Sequence, residues 1–379
     1  MRVMIPVEND AVGAVRDFLR HLLQTHVVDA LLVPMETSAA TVTPMLVTDP
    51  ALLSRANPLA PVMGLNTARA VKWCSAPGSA SRPGTPKRIG VVLRPCELRA
   101  LVELTKFQQA SRDDLMTIGV DCLGTYDVPV YAEMHTNGGV DIARQLATAQ
   151  DGELTAQDGY TFRDACQMCE KPHVEKADIV LELFGADLSA GIPVTMPDGV
   201  AEKLRAATDL TAAEDDGRRS SIIEKVVASR LQVRDARFAE MRQRLDQETI
   251  EGVLAACVRC HNCMTVCPIC YCKTCLFKSP VFDHEPAKYL DWAKHKGAYR
   301  LPADTMLFHL TRLNHMVLSC VGCGMCTSAC MAELPVGLVF RTIGQQVQAA
   351  FEYVPGRDLD EPLPLVTFTE NEWETVGEK

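Results

Sequence analysis

The stretch Cys257-Val-Arg-Cys260-His-Asn-Cys263-Met-Thr-Val-Cys267-Pro268 has the spacing C-x2-C-x2-C-x3-C-P, which is the bacterial ferredoxin run. Cys320-Val-Gly-Cys323-Gly-Met-Cys326-Thr-Ser-Ala-Cys330 repeats it. In paired runs of this kind the fourth cysteine of each ligates the other cluster. Two 4Fe-4S clusters are therefore expected: one on Cys257, Cys260, Cys263 and Cys330, the other on Cys320, Cys323, Cys326 and Cys267. The connection between the runs, 269–319, is long, and its second half carries Met306, Leu310, Leu313 and Val317 at helical spacing. Val339, Ile343, Val347 and Phe351 continue a helical face beyond Cys330. A mainly α-helical ferredoxin domain is predicted over 246–352, with an extended acidic tail over 353–379.

Upstream the pattern alternates. Val12, Val15, Phe18, Leu19 and Leu22 form a helical stripe, followed by an apolar strand over Val28–Val33 and another over Met45–Thr48. Asn57 to Ala68 is irregular and proline-containing, either the lining of a cofactor pocket or a surface connection. Ser75 to Pro86 reads as a polar loop. The strand Ile89–Leu93 leads into Arg94-Pro95-Cys96-Glu97 and a helix, where Pro95 and Glu97 suit the first turn. The strand Met116–Val120 ends in Asp121-Cys122-Leu-Gly124-Thr125. If both strands belong to one parallel sheet, Cys96 and Cys122 share its carboxyl edge, where open α/β sheets bind ligands.

Cys166-Gln-Met-Cys169 adds a C-x2-C pair in a polar loop before an apolar strand over Ala177–Phe184. Cys96, Cys122, Cys166 and Cys169 together have the ligand count of a third 4Fe-4S cluster. A structural zinc site needs the same count, and unrelated buried thiols beside a stray pair are the third reading. From Ser221 onward Ile222, Val226, Leu231 and Phe238 mark a long helix, a linker between domains or a solvated flank of one. The first domain is placed at 1–245, linker helix included. Cys270, Cys272 and Cys275 are left over from the ferredoxin ligand sets: they bind zinc, exchange with Cys267, or are inert thiols. Cys74 is read as structural, and the histidines, His261 included, as non-ligands.

At 379 residues two or three domains are expected. The formal net charge of -10 excludes a nucleic-acid surface. Of sixteen cysteines, eight stand in two runs at metal spacing, and the N-terminus lacks a signal-peptide core, which together point to a reducing compartment, an anaerobe's cytoplasm. The longest apolar stretches, such as Val27–Pro34, are too short to span a bilayer, so no direct membrane insertion is expected.

Val92-Leu-Arg-Pro-Cys-Glu-Leu-Arg-Ala-Leu101, Ile118-Gly-Val-Asp-Cys122, Cys166-x2-Cys169 with Ala177-Asp-Ile179, and the paired runs together resemble the β subunits of coenzyme F420-dependent hydrogenases and formate dehydrogenases, the formate dehydrogenase β subunit most strongly. The resemblance implies an α/β FAD-binding domain with an embedded 4Fe-4S cluster, which favours the third cluster. It implies a catalytic partner, either a molybdenum- or tungsten-dependent formate dehydrogenase α subunit or a hydrogenase, or assembly in a heterodisulfide-reductase-like complex. The chain would relay electrons between that partner and FAD, with transfer to coenzyme F420 or another acceptor. No G-x-G-x-x-G fingerprint occurs, so FAD rests on the resemblance alone. Asn66, Thr67, Arg94, Gly124 and Thr125 are the candidate FAD contacts, as residues of loops at the cysteine-bearing edge. The rival readings are a flavin-free electron-transfer adaptor and a zinc-stapled binding module; paired ferredoxin runs argue against the latter.

Overall fold

A computed structural model describes every residue except 9, 38–39, 76–86, 206, 216, 273, 300–303 and 365–379. The predicted loop at Ser75–Pro86 and the end of the tail therefore lie largely outside the described residues.

The N-terminal part is a mixed α/β unit around one eight-stranded sheet. Its strands are β1 (Arg2–Ile5), β2 (Ala30–Glu36), β3 (Val42–Val47), β4 (Ile89–Leu93), β5 (Leu115–Val120), β6 (Ile179–Leu181), β7 (Ile192–Thr195) and β8 (Thr211–Ala212). The order across the sheet is β3-β2-β4-β5-β6-β7-β1-β8. Strands β2, β4, β5 and β6 run parallel, and the flanking pairs are antiparallel. The parallel centre explains the apolar runs: all five residues of β4 are buried, as befits a strand covered on both faces. Strand β6 is shorter than the Ala177–Phe184 run suggests, because Asp178 leaves the ladder to accept hydrogen bonds from the Thr117 amide and hydroxyl, both at 2.7 Å.

One face of the sheet is covered by the helix Ala11–Gln24, whose stripe Val15, Phe18, Leu19 and Leu22 is buried. Asp10 caps it, accepting from the Gly13 amide at 2.7 Å. The other face is covered by Thr67–Cys74 and Pro95–Lys106, and here Ile269 and Val321, beside the ferredoxin runs, join the same apolar core as Leu98, Leu101 and Leu104. The C-terminal part is helical, with longer helices at Pro286–Lys296, Thr305–Met316 and Val336–Ala350.

The helix expected from Ser221 spans Arg218–Val253, passing the domain boundary drawn at 245, with non-helical backbone only at Thr249. It is tied to the sheet's carboxyl edge by Arg219, on the Asp121 carboxylate at 2.8 and 2.9 Å, and by Arg230, on the Leu123 carbonyl at 2.9 Å. Its far half meets the C-terminal helix, where Met241 packs with Val339. It thus spans both parts while flanking each. The segment after the last helix returns to the first part: Tyr353 is buried, and its hydroxyl donates to Glu103 at 2.6 Å. Among the described residues no helix is long and apolar enough to cross a membrane.

Candidate redox site

Parallel pairing of β4 with β5 puts the residues that follow them on one edge. Pro95 opens the helix after β4, and Glu97, 1% exposed, closes a capping box by accepting from the Arg94 amide at 2.8 Å. The same carboxylate accepts from the Thr67 amide at 2.7 Å, so it caps two helices at once and fixes both beside Cys96. Across the edge, the Cys122 amide donates to the Pro172 carbonyl at 2.8 Å, drawing in the loop that carries Cys166 and Cys169. The Thr125 hydroxyl lies 3.2 Å from the Cys166 thiol.

The electrostatics of the thiols map their groupings. Burial pushes Cys96 well above the ordinary thiol range, and the charges of Glu97, Cys122, Cys323 and Cys169 add to it. Burial takes Cys122 up to about 12, with Cys166 and Cys169 adding while Arg94 and Arg230 oppose. Cys267 is raised by burial and by Cys323, Cys326 and Cys320, against Arg312. Cys263 is raised by burial and by Cys257, Cys330 and Cys260, again against Arg312. Two electrostatic influences run between the groups, of Cys323 on Cys96 and of Cys263 on Cys326.

Cys267, Cys320, Cys323 and Cys326 also line one cavity of about 40 Å³ with Arg312. Buried thiols with raised pKa are costly to ionise unless a bound cation takes up the charge, which is the chemistry of an iron–sulfur ligand set. Among the described residues no three Cys, His, Asp or Glu side chains converge on a single metal ion. Thiolates on a four-iron cube stand farther apart than those gripping one zinc at about 2.3 Å.

Several residues that hold these loops were not singled out by spacing. Arg163, 3% exposed, donates to the Cys323 carbonyl and the Ser328 hydroxyl at 2.9 Å each and to the Thr125 hydroxyl at 3.3 Å. It rivets the sheet edge to the second ferredoxin run. Gly324 permits the close approach: its φ is +71°, and a Cβ there would meet the Ala165 Cβ at 2.3 Å. Gly324→Ala is expected to destabilise the protein by about 1–3 kcal/mol, read from urea unfolding; an unchanged midpoint would show that the two loops need no such contact.

Arg312, 4% exposed, donates to the Cys263 thiol at 3.1 Å and its carbonyl at 3.2 Å, between the Phe308 and Phe340 rings. A buried cation favours the more reduced, more negative state of any cluster beside it. Charge-assisted hydrogen bonds of about 1.5–3 kcal/mol translate into about 60–130 mV for one electron. Arg312→Gln should lower a ferredoxin-type potential by that amount in an EPR-monitored titration, and a shift below about 20 mV would refute the role. His309 is similarly close, with Nε2 3.3 Å from the Cys257 thiol, and burial lowers its pKa to about 4. A lone cation or imidazole in a helical insertion carries no spacing signal.

The candidate FAD contacts divide. Arg94 and Gly124 line a narrow cleft, of about 20 Å³ free volume, with Cys122 and Gln145. Arg94 donates to the Ala60 carbonyl at 2.6 Å. Asn66, Thr67 and Thr125 are buried behind it, Asn66 capping its helix through Oδ1 while its Nδ2 has no partner. Gln145 Oε1 is likewise unpartnered. The stretch 57–68 is not a surface connection: Asn57, Ala60, Val62, Met63 and Asn66 are all buried, because its prolines fold it inward over the sheet edge. The orphaned amides suit a polar ligand, but the free volume of about 20 Å³ is room for about one water and lies far below that of ligand pockets.

Cys272 lies 3.7 Å from His315 Nδ1, and Cys275 lies 3.6 Å from the Met264 sulfur. Burial raises Cys270, with Cys272 and Cys275 adding, so the three leftover thiols are neighbours.

Residues 86–192 match the family described as the C terminus of the beta subunit of coenzyme F420 hydrogenase/dehydrogenase. All four thiols of the sheet-edge group fall within this stretch, as do Arg94, Gly124 and Thr125, whereas both ferredoxin runs lie outside. Similar proteins include the F420-dependent formate dehydrogenase subunit beta of Methanocaldococcus jannaschii, 24% identical over 73% of this chain and 76% of that protein. The F420-dependent formate dehydrogenase 1 subunit beta of Methanococcus maripaludis is 28% identical over 73% of this chain and 75% of that protein. These relatives are oxidoreductase subunits. A chain of the F420-reducing NiFe hydrogenase complex from Methanosarcina barkeri aligns over 63% of this chain and 92% of its own length, at 13% identity and a TM-score of 0.43.

Proposed function

We propose that the chain is the electron-relaying iron–sulfur and flavin subunit of a cytoplasmic formate dehydrogenase or related hydrogenase complex. The observation that carries this reading is the serial order of the thiols. The group Cys96, Cys122, Cys166 and Cys169 is joined to Cys267, Cys320, Cys323 and Cys326 by Arg163, which bonds Thr125 and the Cys323 carbonyl, and these to Cys257, Cys260, Cys263 and Cys330 by Arg312, which lines their cavity and bonds the Cys263 thiol. Three four-thiol sets in line suit three 4Fe-4S clusters. The outermost set reaches solvent, with Cys260 exposed and Val258 61% exposed, so a catalytic partner would exchange electrons there. Cys122 of the sheet-edge set lines the cleft of Arg94 and Gly124. FAD, when bound, supplies the exchange between single electrons and hydride pairs. Arg94 would hold it by charge and the Gly124 turn by leaving room, whereas Asn66 is fully buried and outside the cleft's lining. Coenzyme F420, named in both formate dehydrogenase relatives, is the proposed acceptor. The division into 1–245, 246–352 and 353–379 belongs to the same proposal.

The small size of the cleft favours one second reading, a flavin-free adaptor. Anaerobic purification separates the two. About twelve irons and one flavin per chain are expected, at four irons per cluster. On that count, about eight irons with no flavin would sink both the third cluster and the hydride role.

A further inference from the structure

Away from the cleft, an open cavity of about 500 Å³ lies where the first part, the long helix and the C-terminal helix meet. Its lining includes four cations, Arg99, Lys171, Arg234 and Arg341, against two carboxylates, Glu170 and Glu352. Asp235 and Glu175, just outside the lining, pair with Arg234 and Lys171, so the cavity wall is a dense array of paired charges in a chain of net charge -10. The cations are organised. Arg234 and Arg341 both bond Glu170, Arg341 at 3.1 Å, and both guanidiniums lie over the Phe238 ring, at 6.0 and 5.4 Å from its centre. The charge of Arg99 acts on the same carboxylate. Arg99 itself is held by the Val321 carbonyl at 2.6 Å, and its Nε is buried without a partner.

We propose that this cavity binds the diphosphate group of a nucleotide, with Glu170 standing where phosphate oxygens are received. Guanidinium forks match phosphate geometry two bonds at a time. Stacking on Phe238 pre-orders two of the forks, so little side-chain entropy is lost when an anion arrives. The floor of the cavity includes Cys320 and Val321, which places such a nucleotide beside the middle thiol set. Arg234 and Arg341 lie outside residues 86–192, so the site draws on the C-terminal part as well as on the matched stretch. The proposal does not depend on the flavin reading, because its readout is binding and not electron transfer.

The test is calorimetric titration of the full-length, anaerobically purified chain with inorganic pyrophosphate. Glu170→Gln removes the internal competitor and is expected to tighten binding about tenfold, whereas Arg341→Gln weakens it about tenfold. A gain of affinity in Glu170→Gln cannot come from misfolding, and Arg234→Gln provides a second loss variant. Repeating the titration with excess FAD or excess ADP identifies the source of the diphosphate: competition by FAD assigns the site to the flavin's own diphosphate, and competition by ADP alone to a second nucleotide. Affinity that is absent, or the same in the unmodified chain and all three variants, overturns the proposal.

Discussion

Replacing Cys122 with serine is expected to reduce iron from about twelve to about eight atoms per chain, at four irons per cluster, while the ferredoxin-type EPR signals persist. Cys122 follows β5 directly, and its amide bond to Pro172 holds it against the Cys166 loop. Its thiol, pushed up to about 12 by burial first and by Cys166 and Cys169 next, ionises only with a cation to receive it. A serine hydroxyl keeps the shape and loses the thiolate. The variant should therefore fold, keep the two ferredoxin sets, and fail to pass electrons from the outer clusters to flavin. Unchanged iron content would exclude Cys122 as a ligand and leave the sheet-edge thiols as ordinary buried cysteines.

Asp121→Ala is expected to cost about 3–5 kcal/mol of stability, the range for breaking one side of a buried pair. Asp121 is 3% exposed. Its two oxygens accept from the Val174 amide at 2.9 Å and the Leu183 amide at 3.0 Å, and both receive Arg219. Alanine would strand two buried amides and a guanidinium that also pairs with Glu182 at 3.4 Å. It would also loosen the segment against which Cys122 is registered. Asp121→Asn, which keeps one acceptor, should lose less. Chemical unfolding monitored by circular dichroism measures the difference, and a loss below about 1 kcal/mol would mean that Arg219 and the amides find other partners.

Much of this was readable from residue order, for identifiable reasons. The strands β4 and β5 show as apolar runs because they are buried on both faces, and Pro95 with Glu97 marks the turn between strand and helix. The ferredoxin cysteines are visible because their ligand spacing is local. The sheet beyond β6 was not legible: β7, β1 and β8 are two to four residues long and pair across most of the first part. The ties that position the thiols were hidden for the same reason. Arg163 reaches Cys323, Arg219 reaches Asp121, and Arg312 reaches Cys263, all across long sequence separations. A single arginine has no periodicity. The 57–68 stretch misleads in the other direction, since its prolines and asparagines resemble a surface loop although it lies buried.

The interleaving of the two runs constrains how the protein comes to be made. Cys257 has Cys330 among its neighbours, and Cys267 sits with Cys320, Cys323 and Cys326, so neither ferredoxin set is complete until the chain has been translated through the second run. A ribosome exposes the first run long before its partners exist, and a nascent chain at that stage offers three or four lone thiols and no cage. On the proposed ligand sets, iron loading would wait for the second run, and a truncation between the runs would leave three thiols of one set and one of the other instead of a complete cluster.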